Sequence, residues 1–461
     1  MQATSESYRN GRPKPSQERD ACAMVLSFVV RRRELELIRP ASPTPREVKR
    51  LSDVDDQGTL RANVRGFFFY RGVLRGGSGD DPVGAIRRAL SEALVHYYPF
   101  AGRLRELEGR KLVVDCTGEG VTFVEADADV RFTDLEVAAG PGLTPPFPCV
   151  DELAFDADGV SGGILGCPLV LIQVTRLLCG GFIVGHRFNH TMCDAQGIVM
   201  FMNAVAELAR GLPCPTVAPT WSRDLLDARN PPVPSFPHRE YDDVVAPLPP
   251  STGDMVMRSF LFGPSDVAAM KKSLPPGLRD TATSFEVLAA FLWRARTAAL
   301  ALRSDEETRL VTVVNMRRHV GLGLPAGYYG YACANPTVVM AAGSLLSRPM
   351  GDVVELVREA KASVTAEYAR SMVDYLVLHG RPALAAANLF TLTDLRRIGF
   401  DRVDFGWGEP VYAGAARSML WVSSLITVKN GGGQNVVAVP VALPRLAMER
   451  FASEIEKLAK I

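Results

Sequence analysis

The sequence predicts an α/β protein of two sandwich-like halves, each a mixed sheet with flanking helices. Three observations carry that prediction. A chain of 461 residues is too long for one ordinary hydrophobic core. Short apolar strand patterns alternate with helical periodicity on both sides of its middle. Between them, Pro213 to Pro250 is the most proline-rich part of the chain, with Pro231-Pro232, Pro234, Pro237 and Pro249-Pro250. That stretch reads as an extended crossover. The expected division is 1–212, 213–250 and 251–461.

In the first half, Val25 to Val30 is a short strand pattern, and Arg31-Arg32-Arg33 reads as a solvated turn. Leu37 to Pro45 is extended and pinned by prolines. Phe67-Phe68-Phe69-Tyr70 has the unbroken apolar character of a buried strand. Asp81-Pro82 starts a helix with an acidic cap and proline at its first position, and Val83, Ile86, Leu90, Leu94 and Tyr97 form its apolar stripe. Leu112 to Val114 and Val121 to Val124 are strands around the Gly118-Glu119-Gly120 turn. Leu169 to Thr175 and Phe182 to His190 are two more, joined through Gly180-Gly181. After Asp194, apolar residues at 198, 201, 202, 205 and 208 mark an amphipathic helix that Gly211 and Pro213 stop.

The second half opens with a strand at Val256 to Phe262. Thr283-Ser284-Phe285-Glu286 is a capping box heading a long helix. A strand at Leu310 to Asn315 precedes Met316-Arg317-Arg318 and the aromatic loop Gly327 to Tyr331. Val353 to Tyr368 reads as one helix. Met419 to Val428 is a strand, Gly431-Gly432-Gly433 a hairpin turn, and the stretch from Leu446 a closing helix.

Composition narrows the function. The apolar fraction of 47% with 22% charged residues is that of a globular chain. Lys+Arg number 52 against 51 Asp+Glu, which gives no reason to expect a nucleic acid partner. No run of about 18 apolar residues predicts a membrane span, and Met1 to Asp20 lacks the apolar stretch of a secretory signal. Eight cysteines without a CxxC pair read as reduced core thiols. Ala459-Lys460-Ile461 is either a loose variant of the Ser-Lys-Leu peroxisomal address or the end of a Lys-rich helix. Peroxisome and cytoplasm both stay open.

The chemistry-bearing stretch is Gly185 to Asp194, where a strand runs into a helix. Alternation puts Phe182, Val184, His186, Phe188 and His190 on one face. His186 and His190 then lie roughly 13 Å apart, too far to share a metal ion. Cys193, at a helix start with no base implied by its spacing, reads as a buried thiol and not a nucleophile. No GxSxG on a strand–turn–helix elbow, no Walker loop and no GxGxxG strand–turn–helix is present. His190 remains as a general base for a reaction without a covalent enzyme intermediate, beside the plainer reading of a satisfied core histidine.

His190-Thr191-Met192-Cys193-Asp194 together with Asp404-Phe405-Gly406-Trp407-Gly408 resembles the paired HxxxD and DFGWG motifs of the BAHD family of plant CoA-dependent acyltransferases. Tyr98 to Leu104 is a further family stretch, and the resemblance runs from about residue 24 onward. It implies two chloramphenicol-acetyltransferase-like domains with a channel between them. It also implies His190 as the base that deprotonates an acceptor hydroxyl, and Asp194 as a brace for the loop, often through an arginine. Asp404, Phe405, Gly406, Trp407 and Gly408 would be structural, with Asp404 paired to Arg317. Thr283 and Ser284 would lie on the CoA side. Tyr331 departs from the family, where asparagine commonly follows the glycine. Leu37 to Pro40, Leu51 to Asp56, Gly118 to Gly120 and Pro146 to Cys149 resemble the branch that makes volatile and benzoyl esters. The resemblance therefore implies acyl-CoA as substrate with no cofactor, with benzoyl-CoA as donor and benzyl alcohol as acceptor. The alternatives are another acyl-CoA with another alcohol, terpenoid or amine acceptor, or a non-catalytic acyl-CoA-binding protein. A monomer is expected.

Overall fold

A computed structural model describes residues 26–72, 81–140, 143–148, 150–155, 163–243, 254–417 and 421–458. The polar stretch Met1 to Asp20, Cys149 and the tripeptide Ala459-Lys460-Ile461 lie outside the described residues.

Two mixed sheets dominate. The first runs Val30–Arg32, Val121–Ala128, Val170–Leu177, Phe182–Asn189, Asn63–Tyr70 and Tyr412–Ala415, with Glu36–Ile38 also paired to Val121–Ala128. The second runs Met255–Phe262, Asn435–Pro444, Val422–Lys429, Leu389–Asp394, Glu307–Thr312 and Thr337–Ala341. Helices Pro82–His96 and Ala195–Ala209 cover one face of the first sheet, and Ser284–Leu300, Met350–Ala362 and Arg445–Leu458 cover one face of the second.

The aromatic run at Phe67 to Tyr70 is apolar throughout because both of its faces are buried. Phe68 and Tyr70 point into the core under the first pair of helices. Phe67 and Phe69 point the other way, into a core shared with Ile426, Val428 and Ala438 of the second sheet. That shared apolar layer fastens the two halves together.

Three expectations are corrected and one is extended. Arg31 and Arg32 belong to an edge strand paired with Ala126 to Ala128, where their side chains reach solvent from one extended segment. The two strands expected around Gly118-Glu119-Gly120 are both present, in different sheets. Leu112–Asp115 pairs with Arg103–Glu106 and Val48–Arg50 in a separate small sheet, while Val121–Ala128 enters the main one. The single helix expected from Val353 to Tyr368 is two, Met350–Ala362 and Ala366–Leu378. Thr365 breaks it by taking extended backbone and capping the second helix, its hydroxyl accepting the Tyr368 N–H at 3.1 Å. Finally, the strand Tyr412–Ala415 pairs with Asn63–Tyr70, so a segment of 251–461 crosses into the sheet of 1–212. Its Tyr-Ala-Gly-Ala sequence carries too little β-propensity to be seen in isolation.

Candidate functional site

The strand Phe182–Asn189 ends one residue before His190, and the helix Ala195–Ala209 begins one residue after Asp194. Between them the chain reverses in a tight loop. Asn189 stabilises the start of that loop, its side-chain oxygen accepting the Thr191 N–H at 3.1 Å and the Thr191 hydroxyl at 2.6 Å. Asp194 caps the helix, accepting the Gly197 N–H at 2.9 Å. Gly197 must lack a side chain. A Cβ there would sit 2.1 Å from the Tyr329 carbonyl oxygen, so the helix start and the aromatic loop are pressed together.

His190 is held from both ends. Its backbone N–H donates to the Ala62 carbonyl at 2.9 Å. Its ring Nδ1 lies 2.9 Å from the Cys193 carbonyl oxygen. A carbonyl can only accept, so Nδ1 carries the proton and Nε2 holds the free lone pair. Nε2 makes no hydrogen bond among the described residues. Burial lowers the imidazole pKa below its ordinary 6.5, against the Cys193 carbonyl and Asp194, which both raise it. The ring is therefore neutral at neutral pH, half-buried, with its basic nitrogen available.

Asp194 does not touch that ring. Its carboxylate faces Arg317, at 2.6 Å to one guanidinium nitrogen and 2.9 Å to another. It also accepts the Ala332 N–H at 3.1 Å and the Cys333 thiol at 3.4 Å. Burial alone would raise its pKa, but the Arg317 charge and these donors leave it lowered. Arg317 in turn donates to the carbonyls of Tyr328 and Gly330. Asp194 is thus a brace that joins the His190 loop to the loop at Tyr328 to Ala332.

The expected pairing of Asp404 with Arg317 is not formed. Asp404 accepts the N–H groups of Gly406 and Gly408, each at 2.8 Å, inside its own turn. Both glycines have positive φ, 114° and 89°, which explains their place in the motif. Phe405 packs edge-on against Tyr70, Trp407 packs edge-on against Phe182, and Arg210 donates to the Asp404 carbonyl. Phe182 starts the strand that His190 follows, so Trp407 packs at the opposite end of a stretch roughly 26 Å long, at about 3.3 Å per residue. Arg317 belongs to Asp194 because both face the same loop, whereas Asp404 lies at the far end of the sheet.

The other candidates separate clearly. Thr283 spends its hydroxyl on capping, accepting the Glu286 N–H at 3.2 Å, and Ser284 accepts from Arg396 at 3.0 Å. His186 lies buried between Phe68 and Phe188, and burial lowers its pKa to about 3. Cys193 is fully buried, and burial, then the Asp194 charge, pushes its thiol pKa up, which removes it as a nucleophile. Tyr331 is buried with its ring edge-on to His190, centroids 5.6 Å apart.

Two residues at this site escaped the sequence reading. Asp55 and Arg223 form a fully buried ion pair at 2.6 Å, and Arg223 also donates to the Met192 carbonyl at 2.7 Å. Asp55 lies in the quoted stretch Leu51 to Asp56, where an acid set among apolar residues was a usable signal. Arg223 gave none, because a lone arginine among prolines looks solvated.

Residues 28–458 match the model of the Transferase family. The chain is 49% identical over 446 residues to a benzyl alcohol O-benzoyltransferase of Petunia hybrida, covering 94% of this chain and 95% of that one. It is 46% identical over 436 residues to an alcohol acyltransferase of Actinidia chinensis var. chinensis, covering 94% of each. Among solved structures it resembles vinorine synthase with a TM-score of 0.71 at 22% identity, covering 93% of this chain and 98% of the other. The fold is thus the two-domain chloramphenicol-acetyltransferase-like one. With matches this long, the chain belongs to the BAHD family of acyl-CoA-dependent alcohol acyltransferases.

Proposed function

We propose that this enzyme transfers the benzoyl group of benzoyl-CoA to benzyl alcohol, with His190 as general base. In this reading His190 Nε2 removes the hydroxyl proton as the alcohol oxygen attacks the thioester carbonyl. The tetrahedral intermediate then breaks its C–S bond. The imidazolium returns its proton to the departing CoA thiolate, so the products are benzyl benzoate and free CoA. No covalent enzyme intermediate and no cofactor take part. Asp194 acts only by holding the loop.

The observation that carries the base assignment is the fixed tautomer of His190, with Nδ1 tied to the Cys193 carbonyl and Nε2 unengaged. A base poised below neutrality is charged too rarely at neutral pH to lose its function. The substrate pair rests on the Petunia relative at 49% identity. The Actinidia relative, at 46%, favours a second reading, the same chemistry on another alcohol with another acyl-CoA. The CoA contacts at Thr283 and Ser284 stay part of the proposal, with Ser284 and its partner Arg396 as the stronger members.

The test is a panel of acyl-CoA donors and alcohols with products identified by mass. Benzyl benzoate should dominate, and thiol should be released only when an alcohol is present. His190→Ala should lower kcat on the order of a hundredfold or more while the protein stays folded. Near-normal turnover in that variant would overturn the base assignment. Thiol release without an alcohol would point to a hydrolase instead.

A further inference from the structure

We propose that Asp55 and Arg223 are positioning residues for His190, forming a second clamp independent of Asp194 and Arg317. The inference rests on the reading of His190 as the base and extends it to residues from two distant parts of the chain.

Asp55 lies in the tight turn after Leu51, and Arg223 lies in the proline-rich crossover. They meet at 2.6 Å with both side chains buried. Neither touches His190, yet each fixes one of its neighbours. Arg223 donates to the Met192 carbonyl at 2.7 Å. The next carbonyl along, at Cys193, is the acceptor for His190 Nδ1. Arg223 therefore sets the orientation of the peptide unit leading to the carbonyl that chooses the histidine tautomer. On the other side, Asp55 accepts the Tyr331 N–H at 2.9 Å. That bond seats the Tyr331 ring edge-on against the imidazole.

The pair itself cannot drift. The second oxygen of Asp55 accepts the Ser52 N–H at 2.9 Å, and the Asp55 N–H donates to the Ser52 hydroxyl at 3.0 Å. The guanidinium is caged by Trp221, Tyr329 and Tyr328, with ring centroids at 4.4, 5.2 and 5.5 Å. The two clamps also share a loop. Asp55 holds the N–H of Tyr331 and Asp194 holds the N–H of Ala332, so adjacent residues are fixed by different carboxylates. A buried ion pair adds little net stability over a well-packed apolar pair, whereas it does fix geometry. That contrast lets stability and positioning be separated by experiment.

The experiment compares Asp55→Asn, Arg223→Lys and the charge-free double variant Asp55→Leu/Arg223→Met in the full chain. Each is assayed for kcat, for KM of both substrates and for the pH dependence of kcat/KM. Imidazole 15N NMR on histidine-labelled protein reads the His190 tautomer directly. The expected result is a ten- to hundredfold loss of kcat in Asp55→Asn, KM values within about twofold, and a displaced acid limb of the pH profile. Arg223→Lys should keep part of the rate, because an ammonium can reach either acceptor but not both. The double variant strands no charge, so it should stay folded while kcat remains low and the His190 15N shifts move towards a tautomer mixture. A folded double variant with wild-type kcat, pH profile and 15N shifts would overturn the clamp. If the wild-type protein turned over none of the acyl-CoA and alcohol pairs, the proposed function would fail instead, and the 15N shifts would still decide the clamp.

Discussion

Asp194→Asn removes one charge from the Asp194–Arg317 pair and little volume. In the native protein the carboxylate accepts from two guanidinium nitrogens, two backbone N–H groups and a thiol. An amide can still accept the Gly197 N–H through its oxygen, but its nitrogen then faces Arg317, Ala332 and Cys333, which are all donors. Breaking a buried pair from one side costs about 3–5 kcal/mol. Arg317 keeps its bonds to the Tyr328 and Gly330 carbonyls, which favours the lower end, about 3 kcal/mol. A domain with roughly 5–15 kcal/mol of stability survives that loss. His190 itself is untouched, so the rate should fall by about ten- to hundredfold through misplacement and not through loss of the base. Urea unfolding and steady-state kinetics measure both effects. Arg317→Met and the double variant complete a cycle, in which a coupling energy of at least about 1.5 kcal/mol is expected. Additive losses, with coupling below about 0.5 kcal/mol, would refute the brace.

Two further outcomes follow from titration. The active form needs neutral His190, whose folded pKa is lowered by burial, so the acid limb of kcat/KM should be centred below 6.5; an acid limb centred above 6.5 would contradict the assignment. His186 is neutral in the fold, with its pKa lowered from 6.5 to about 3. The unfolded chain takes up the proton first, so stability is complete above 6.5 and lost as pH falls towards 3, by about 5 kcal/mol in all. His186→Leu should flatten that part of the stability–pH curve in denaturant titrations between pH 7 and 4, and an unchanged slope would count against the burial argument.

What the sequence disclosed depended on how local each feature is. The strand–loop–helix unit around His190 was legible because its pattern is continuous, with alternation up to His190 and helical spacing after the Asp194 cap. The capping box at Thr283 and the helix after Asp81 were legible for the same reason. Partnerships across long separations were not. Asp194 and Arg317 are 123 positions apart, and Asp55 and Arg223 are 168 apart, with nothing local to announce either bond. Misassigning Arg317 to Asp404 came from the same source, since both acids sit in motifs and only the fold tells which one faces the arginine. The strand Tyr412–Ala415 escaped because its conformation is imposed by pairing with Asn63–Tyr70 and not by its own residues.

The protein contains a second histidine arrangement that sharpens what makes the first one a candidate. His238 Nδ1 lies 2.9 Å from a Glu240 carboxylate oxygen, and its Nε2 lies 2.8 Å from the Ser371 hydroxyl. The connectivity is that of a serine hydrolase triad. Yet Ser371 also accepts the backbone N–H groups of Ser235 at 2.8 Å and Phe236 at 3.0 Å. A hydroxyl has one proton and two lone pairs, so with its O–H donating to His238 Nε2 and both lone pairs accepting N–H groups its oxygen has none left to attack with. All three residues are buried. The array ties the crossover to the helix Ala366–Leu378, and Tyr368 adds a bond to Glu240 at 2.8 Å. Ser371→Ala should therefore leave alcohol-independent thiol release unchanged at its background level. It should cost stability, roughly 1–3 kcal/mol for each buried donor left unpaired. A drop in thiol release from acyl-CoA in that variant, with the fold intact, would mean that the hydroxyl is chemically accessible after all. The contrast locates function in saturation and not in residue identity. At His238 every lone pair is used, whereas at His190 one nitrogen is fixed and the other is left open.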